Sequence, residues 1–143
     1  MSLQQARNSA LAFLLAARRS FEHRPTGIGR TEMLLVPGVV CAAFSVELSF
    51  KTMILAAGGT PARGKQGHDL ATLFSQLTKP EQVNLIARLG LERVSFAPLL
   101  DNVTDAFVKW RYIYEYQEAE LAQEFLYNLA EAAYDCMLHA NGT

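Results

Sequence analysis

The stretch PGVVCAAFSVELSFKTMILAA, residues 37 to 57, is apolar on nearly every side, and its only charged residues are Glu47 and Lys51. A helix with no broad polar face belongs in the middle of a domain, with other helices laid around it. Glu47 and Lys51 stand one helical turn apart, acid first, the order in which such a pair supports itself on one face. Gly58 and Gly59 suit the left-handed geometry that ends a helix, and Pro61 prevents immediate resumption. At the other end Pro37 fits a first turn, where its missing N–H costs nothing, and Thr31 followed by Glu32 is a candidate cap.

Upstream, Leu3, Ala6, Ala10, Phe13 or Leu14, Ala17 and Phe21 recur at steps of three and four, the spacing of one helix face. The HRPTGIGRT that follows, with Pro25, Gly27 and Gly29, is expected to be a loop. Downstream, PARGKQG is a basic loop, and Asp69 is a plausible N-cap for a short helix carrying Leu70, Leu73, Phe74 and Leu77. A further helix is expected from Pro80 to Gly90, with Val83, Leu85, Ile86 and Leu89 as its apolar contacts. Phe96, Leu99, Val103, Ala106, Trp110 and Ile113 then form the strongest stripe, expected to pack along the full length of a partner helix. From Glu118 to about Ala140 an amphipathic helix sets Leu121, Phe125, Leu129, Ala132, Cys136 and Met137 against an acidic face. No segment of useful length alternates with period two, so the pattern predicts an all-α bundle of four main helices plus short ones, one domain over residues 1–143.

A net charge of −1 gives no global basic field of the kind that advertises nucleic-acid binding. The charge is unevenly placed: five arginines against Glu22 alone up to Arg30, and six acids with no Lys or Arg beyond Arg111. Basic and acidic helices lying side by side account for this, as does a basic segment meeting an anion or a second copy. Cys41 and Cys136 have no metal-ligand spacing and sit in apolar helical stretches, where cysteine packs as a small hydrophobe. The run MLLVPGVVCAAF is read as too short to span a bilayer and as broken by Pro37 and Gly38, so a cytoplasmic protein with no membrane partner is expected.

His23, His68 and His139 match no HxxxH, HExxH or CxxC pattern, so no metal is expected. GxSxG, GxxxxGK[ST] and GxGxxG are absent too, and no cofactor is implied. Two basic constellations remain. Arg63, Lys65 and His68 lead into a helix N-terminus, where free N–H groups and the helix dipole favour an anion such as phosphate. In KWRYIYEY, residues 109 to 116, Arg111 and Glu115 share a flank beside Trp110, Ile113 and Tyr114, a mixture able to stack bases and hold phosphates.

The succession AAFSVELSFKTMIL, a glycine-rich loop, GHDLATLFSQL and a helix carrying FVKWRYIYE resembles the HEPN domain (higher eukaryotes and prokaryotes nucleotide-binding) over roughly residues 38 to 138. The resemblance implies a HEPN-like helical bundle that commonly dimerises, in toxin–antitoxin, defence or RNA-processing settings, with a nucleotidyltransferase as one possible partner. Many such domains are metal-independent ribonucleases with an Arg-x4-6-His motif on a late helix. Arg111 fits the arginine, but Tyr116, Gln117 and Glu118 occupy the positions where the histidine should follow. None can carry a proton as imidazole does near neutral pH. Arg18 and His23 match the spacing outside the region of resemblance, a chance pairing easily produced by nine arginines and three histidines. The expectation is therefore a non-catalytic domain that binds a nucleotide, RNA or a partner protein through Arg63, Lys65, His68, Arg111 and Glu115. The alternatives are a ribonuclease toxin in which a displaced group such as His68 works with Arg111, and a helical adaptor with no ligand.

Overall fold

The computed structural model describes residues 2–27, 29–113 and 121–140. The chain is an all-α bundle: α1 (Leu3–Ser20), α2 (Leu35–Ala56), α3 (Leu70–Ser75), α4 (Lys79–Arg88), α5 (Arg93–Val103), α6 (Ala106–Arg111) and α7 (Gln123–His139). A 3-10 turn, Gly64–His68, precedes α3. As its composition demands, α2 is the axis, with Val39, Ala42, Ala43, Val46, Phe50 and Met53 buried, and α1, α7, α6 and α3 pack around it.

On its buried face α1 offers Ala6, Ala10, Leu14 and Ala17, mostly methyl-sized side chains that let the two backbones approach. The Ser45 hydroxyl of α2 donates to the Ala10 carbonyl at 2.8 Å across that contact. Where α1 ends, the Phe21 ring lies against Gly38 so closely that a Cβ there would stand 2.5 Å from a ring carbon. Two files of aromatic rings extend the packing. Phe50, Phe74, Phe96 and Phe125 join α2, α3, α5 and α7, with successive centroids 6.2, 4.9 and 5.9 Å apart. Phe13, Phe44 and Phe107 join α1, α2 and α6 at 4.6 and 4.9 Å.

Three local expectations are corrected. Residues expected to loop form a two-stranded antiparallel hairpin, β1 (Arg24–Gly27) and β2 (Arg30–Glu32), with Gly29 at φ 73 near its tip. Thr31 therefore lies in β2, and Leu34 stands at the N-cap of α2, which opens at Leu35 without a side-chain cap and with Pro37 in its first turn. The stripe from Phe96 to Ile113 is not one helix, because the chain turns at Thr104 and Asp105 between α5 and α6. The turn has a physical cause. Thr104 accepts from the Leu70 amide through its carbonyl (2.9 Å) and from the Ala71 amide through its hydroxyl (2.7 Å), so its backbone is committed to α3.

The bilayer test also reads differently in three dimensions. Pro37 and Gly38 do not interrupt α2, whose 22 residues are long and apolar enough to cross a membrane by length and composition, although 67% of its most apolar window is buried inside the bundle.

Replacing Gly38 tests the α1–α2 junction. Gly38→Val must displace the Phe21 ring, and we expect a loss of about 1–3 kcal/mol, the usual cost of overpacking. Urea unfolding measures it; an unchanged midpoint would show that Phe21 moves aside freely.

Candidate functional site

The site starts from a buried acid. Glu47, in the middle of α2, has a side chain 3% exposed, and an unpartnered carboxylate in such a place costs several kcal/mol. Two bases hold it. Lys51 Nζ donates to Oε2 at 3.0 Å, as the one-turn spacing predicts, and His68 Nδ1 lies 2.8 Å from Oε1. His68 is 37% exposed and Lys51 21%, so both reach from the buried acid to the surface.

Close approach of the turn to α2 depends on Gly67. A Cβ at Gly67 would meet the Ala62 carbonyl oxygen at 2.8 Å and Lys51 Nζ at 3.5 Å. No larger residue fits there without moving the turn that carries His68. The His68 ring in turn rests on Phe107, with centroids 5.1 Å apart, and the Arg111 guanidinium lies 4.5 Å from the centre of the same ring. Phe107 is the last ring of the file from α1, so the bundle fixes the ring that both His68 and Arg111 contact.

Around them opens a cleft of about 640 Å³, the size of a small-molecule site. Its walls carry the cations Lys51, Arg63, Lys65 and Arg111, the imidazole of His68 and the acids Asp69 and Asp105, with Ala62 and Val108 as apolar surface. Arg63, Lys65, His68 and Arg111, picked out from two separate constellations, thus line one cavity. Lys51, expected only as the partner of Glu47, lines it as well. Glu115 lies outside the described residues, as do Tyr116, Gln117 and Glu118. The sequence did not disclose the contact between Glu47 and His68, nor Asp105 and Val108 as lining residues.

The amides expected to be free at the opening of α3 are engaged within the chain: Leu70 N–H by the Thr104 carbonyl, Ala71 N–H by the Thr104 hydroxyl, and Thr72 N–H by the Asp69 carboxylate at 3.0 Å. Asp69 is the N-cap, as its position predicts, and it also accepts from the Thr104 hydroxyl at 2.7 Å. Burial alone would raise the Asp69 pKa, but hydrogen bonds from Thr104, Thr72 and Ala71 hold it below the ordinary value. The opening amides of α3 are therefore not offered to an anion in the cleft.

Arg18 and His23 lie apart from this cavity. Arg18 Nε donates to the Tyr127 hydroxyl at 2.8 Å, and Arg18 stands 3.9 Å from Glu131, so the basic first helix and the acidic last one do lie side by side. Burial raises the Tyr127 pKa, and the hydrogen bond to Tyr127 raises that of Arg18. Cys136 is pushed up to about 11, chiefly by burial, and burial also raises Cys41, so both stay protonated thiols at neutral pH. Among the described residues no three His, Cys, Asp or Glu side chains group as a metal site.

Asp69→Ala is expected to cost about 1–2 kcal/mol, the usual penalty for losing an N-cap. Because the folded pKa is depressed, this contribution is complete above the unfolded value of about 4 and disappears as pH falls through the folded one. Urea unfolding of both proteins at pH 7 and pH 3 checks this, and a gap that does not narrow at the lower pH refutes it. In comparisons with protein-family models, curated proteins and solved structures, nothing matches this chain.

Proposed function

We propose that the chain is a HEPN-like domain whose cleft binds the phosphate groups of a nucleotide or RNA. The observation that carries this reading is convergence: Lys51, Arg63, Lys65 and Arg111, from segments far apart in the chain, face one cavity beside His68. Guanidinium and ammonium groups supply the charge that phosphate oxygens require. Val108 and Ala62 add apolar surface for a base, and Asp105 adds an acceptor for its N–H groups or for ribose hydroxyls. The order of motifs shared with the HEPN pattern supports the family. Tyr116, Gln117 and Glu118, standing where that pattern has histidine, favour binding without catalysis. A homodimer, and a setting such as toxin–antitoxin or defence with a nucleotidyltransferase nearby, belong to the same reading.

A second reading, a metal-independent ribonuclease, is favoured by the contact of both His68 and Arg111 with the Phe107 ring at one cleft. Among the described residues no hydroxyl or thiol side chain lines the cleft, so the nucleophile would be the ligand's own 2′-hydroxyl or water. His68 would take its proton as the oxygen bonds to phosphorus and the bond from phosphorus to the 5′-oxygen breaks, the leaving oxygen taking a proton from water, and Arg111 would steady the phosphate.

Fluorescence anisotropy with a labelled mixed-sequence RNA decides between these. Arg111→Ala and Lys65→Ala should each weaken binding by about tenfold and flatten its salt dependence, as loss of a phosphate contact does. Equal affinity in all three proteins would sink the cleft as the binding site. RNA cleavage abolished by both His68→Ala and Arg111→Ala would replace the binding reading with the ribonuclease. Light scattering is expected to give the mass of a dimer; a strict monomer at high concentration removes that part.

A further inference from the structure

We infer that Glu47 is a positioning residue that holds the His68 imidazole in the tautomer protonated at Nδ1, leaving Nε2 as the accepting atom at the cleft. For its use this rests on the phosphate-cleft reading, but its geometry stands apart from that reading. A carboxylate accepts and does not donate, so the 2.8 Å contact with Oε1 assigns the proton to Nδ1. Lys51, which only donates, occupies Oε2 at 3.0 Å, so the two oxygens are engaged by one donor each. The other ring nitrogen, Nε2, has no partner among the described residues, and His68 lines the cleft.

Stability alone gives little reason for this arrangement. A buried ion pair seldom outperforms well-packed apolar side chains of similar volume, so a leucine in the middle of α2 would serve the core at least as well. What the carboxylate adds is orientation. The imidazole is anchored at one nitrogen by Glu47, is braced on Phe107 at 5.1 Å, and is carried by a turn that Gly67 allows to lie against Lys51. In a neutral imidazole so held, Nε2 carries a lone pair able to accept a hydrogen bond or a proton from a ligand hydroxyl, while the four cations around it take phosphate. The structure therefore points to a ligand that presents a hydroxyl next to a phosphate, as a ribose does.

The test reads the tautomer directly. Long-range proton–nitrogen correlation spectra of 15N-labelled protein, recorded at about pH 8 where histidine is ordinarily neutral, distinguish the protonated ring nitrogen from the bare one. Substitution of each histidine in turn assigns the signals. His68 is expected to be protonated at Nδ1. In Glu47→Gln a single carbonyl oxygen is left for Lys51 and Nδ1 to share, and the Nε2-protonated form should rise several-fold. Adding Lys51→Met frees that oxygen and should restore the Nδ1-protonated form. Wild-type His68 protonated at Nε2 overturns the proposal, and this arm needs no variant, so misfolding of Glu47→Gln does not spare it. An unchanged tautomer in folded Glu47→Gln overturns it too. Mixed-sequence RNA added to the wild-type sample separates the two claims. RNA that binds and shifts the Nε2 resonance supports both, and RNA that binds and leaves Nε2 untouched overturns the placing of Nε2 against the ligand. Failure of both the RNA and a ribonucleoside triphosphate mixture to bind overturns the phosphate-cleft reading, while the tautomer still decides the role of Glu47.

Discussion

A carboxylate in the centre of an apolar helix sets the terms for this molecule. Glu47 cannot stay buried unpaired, and the lysine one turn away satisfies only one of its oxygens. The other is met by His68, which ties the turn before α3 to the axis of the bundle. The approach of that turn to α2, with Gly67 stacked over the Lys51 ammonium, accompanies this pairing and forms one wall of the cleft. Phe107, in the first turn of α6, braces two of the lining residues, because the aromatic file from Phe13 through Phe44 ends on a ring that both His68 and Arg111 contact.

A second junction fixes the opposite side of the site. Thr104 and Asp69 share hydrogen bonds that cap α3 and break what would otherwise be one long helix into α5 and α6. The break re-aims Arg111 relative to the stripe that runs through Phe96 and Leu100. The opening amides of α3, candidates for a ligand, are spent on the fold, and the positive charge lining the cleft is that of Lys51, Arg63, Lys65 and Arg111.

The main helices were legible because each carries an unambiguous period or none: the all-round apolarity of α2, the three-and-four spacing of α1, the amphipathic pattern of α7. Asp69 was legible as a cap for the same local reason. What escaped were features decided by distant partners. The α5–α6 turn depends on a threonine 35 residues from the aspartate it contacts, and Thr104 carries no turn signal of its own. The hairpin of Arg24–Gly27 and Arg30–Glu32 was hidden because strands of four and three residues are too short to show a period. For the site, sequence singled out Arg63, Lys65, His68 and Arg111 as residue types suited to anions, and the fold brought them together. It could not reveal that Glu47 reaches His68 across 21 positions, since the i to i+4 lysine already explained the acid.

The pair within α2 has one more consequence, concerning how this helix is sorted before the bundle forms. Twenty-two residues of mean hydropathy 1.7 are of a kind that membrane-insertion machinery samples as a span. Charged side chains near the middle of such a segment each oppose partition into hydrocarbon by about 2.5–3.5 kcal/mol on insertion scales for Asp, Lys and Arg. Glu47 lies near the middle of α2, away from the ends where long side chains can reach the bilayer surface, and Lys51 stands one turn further on. The two residues that shape the cleft in the folded domain thus also bias the nascent helix toward packing against its own chain.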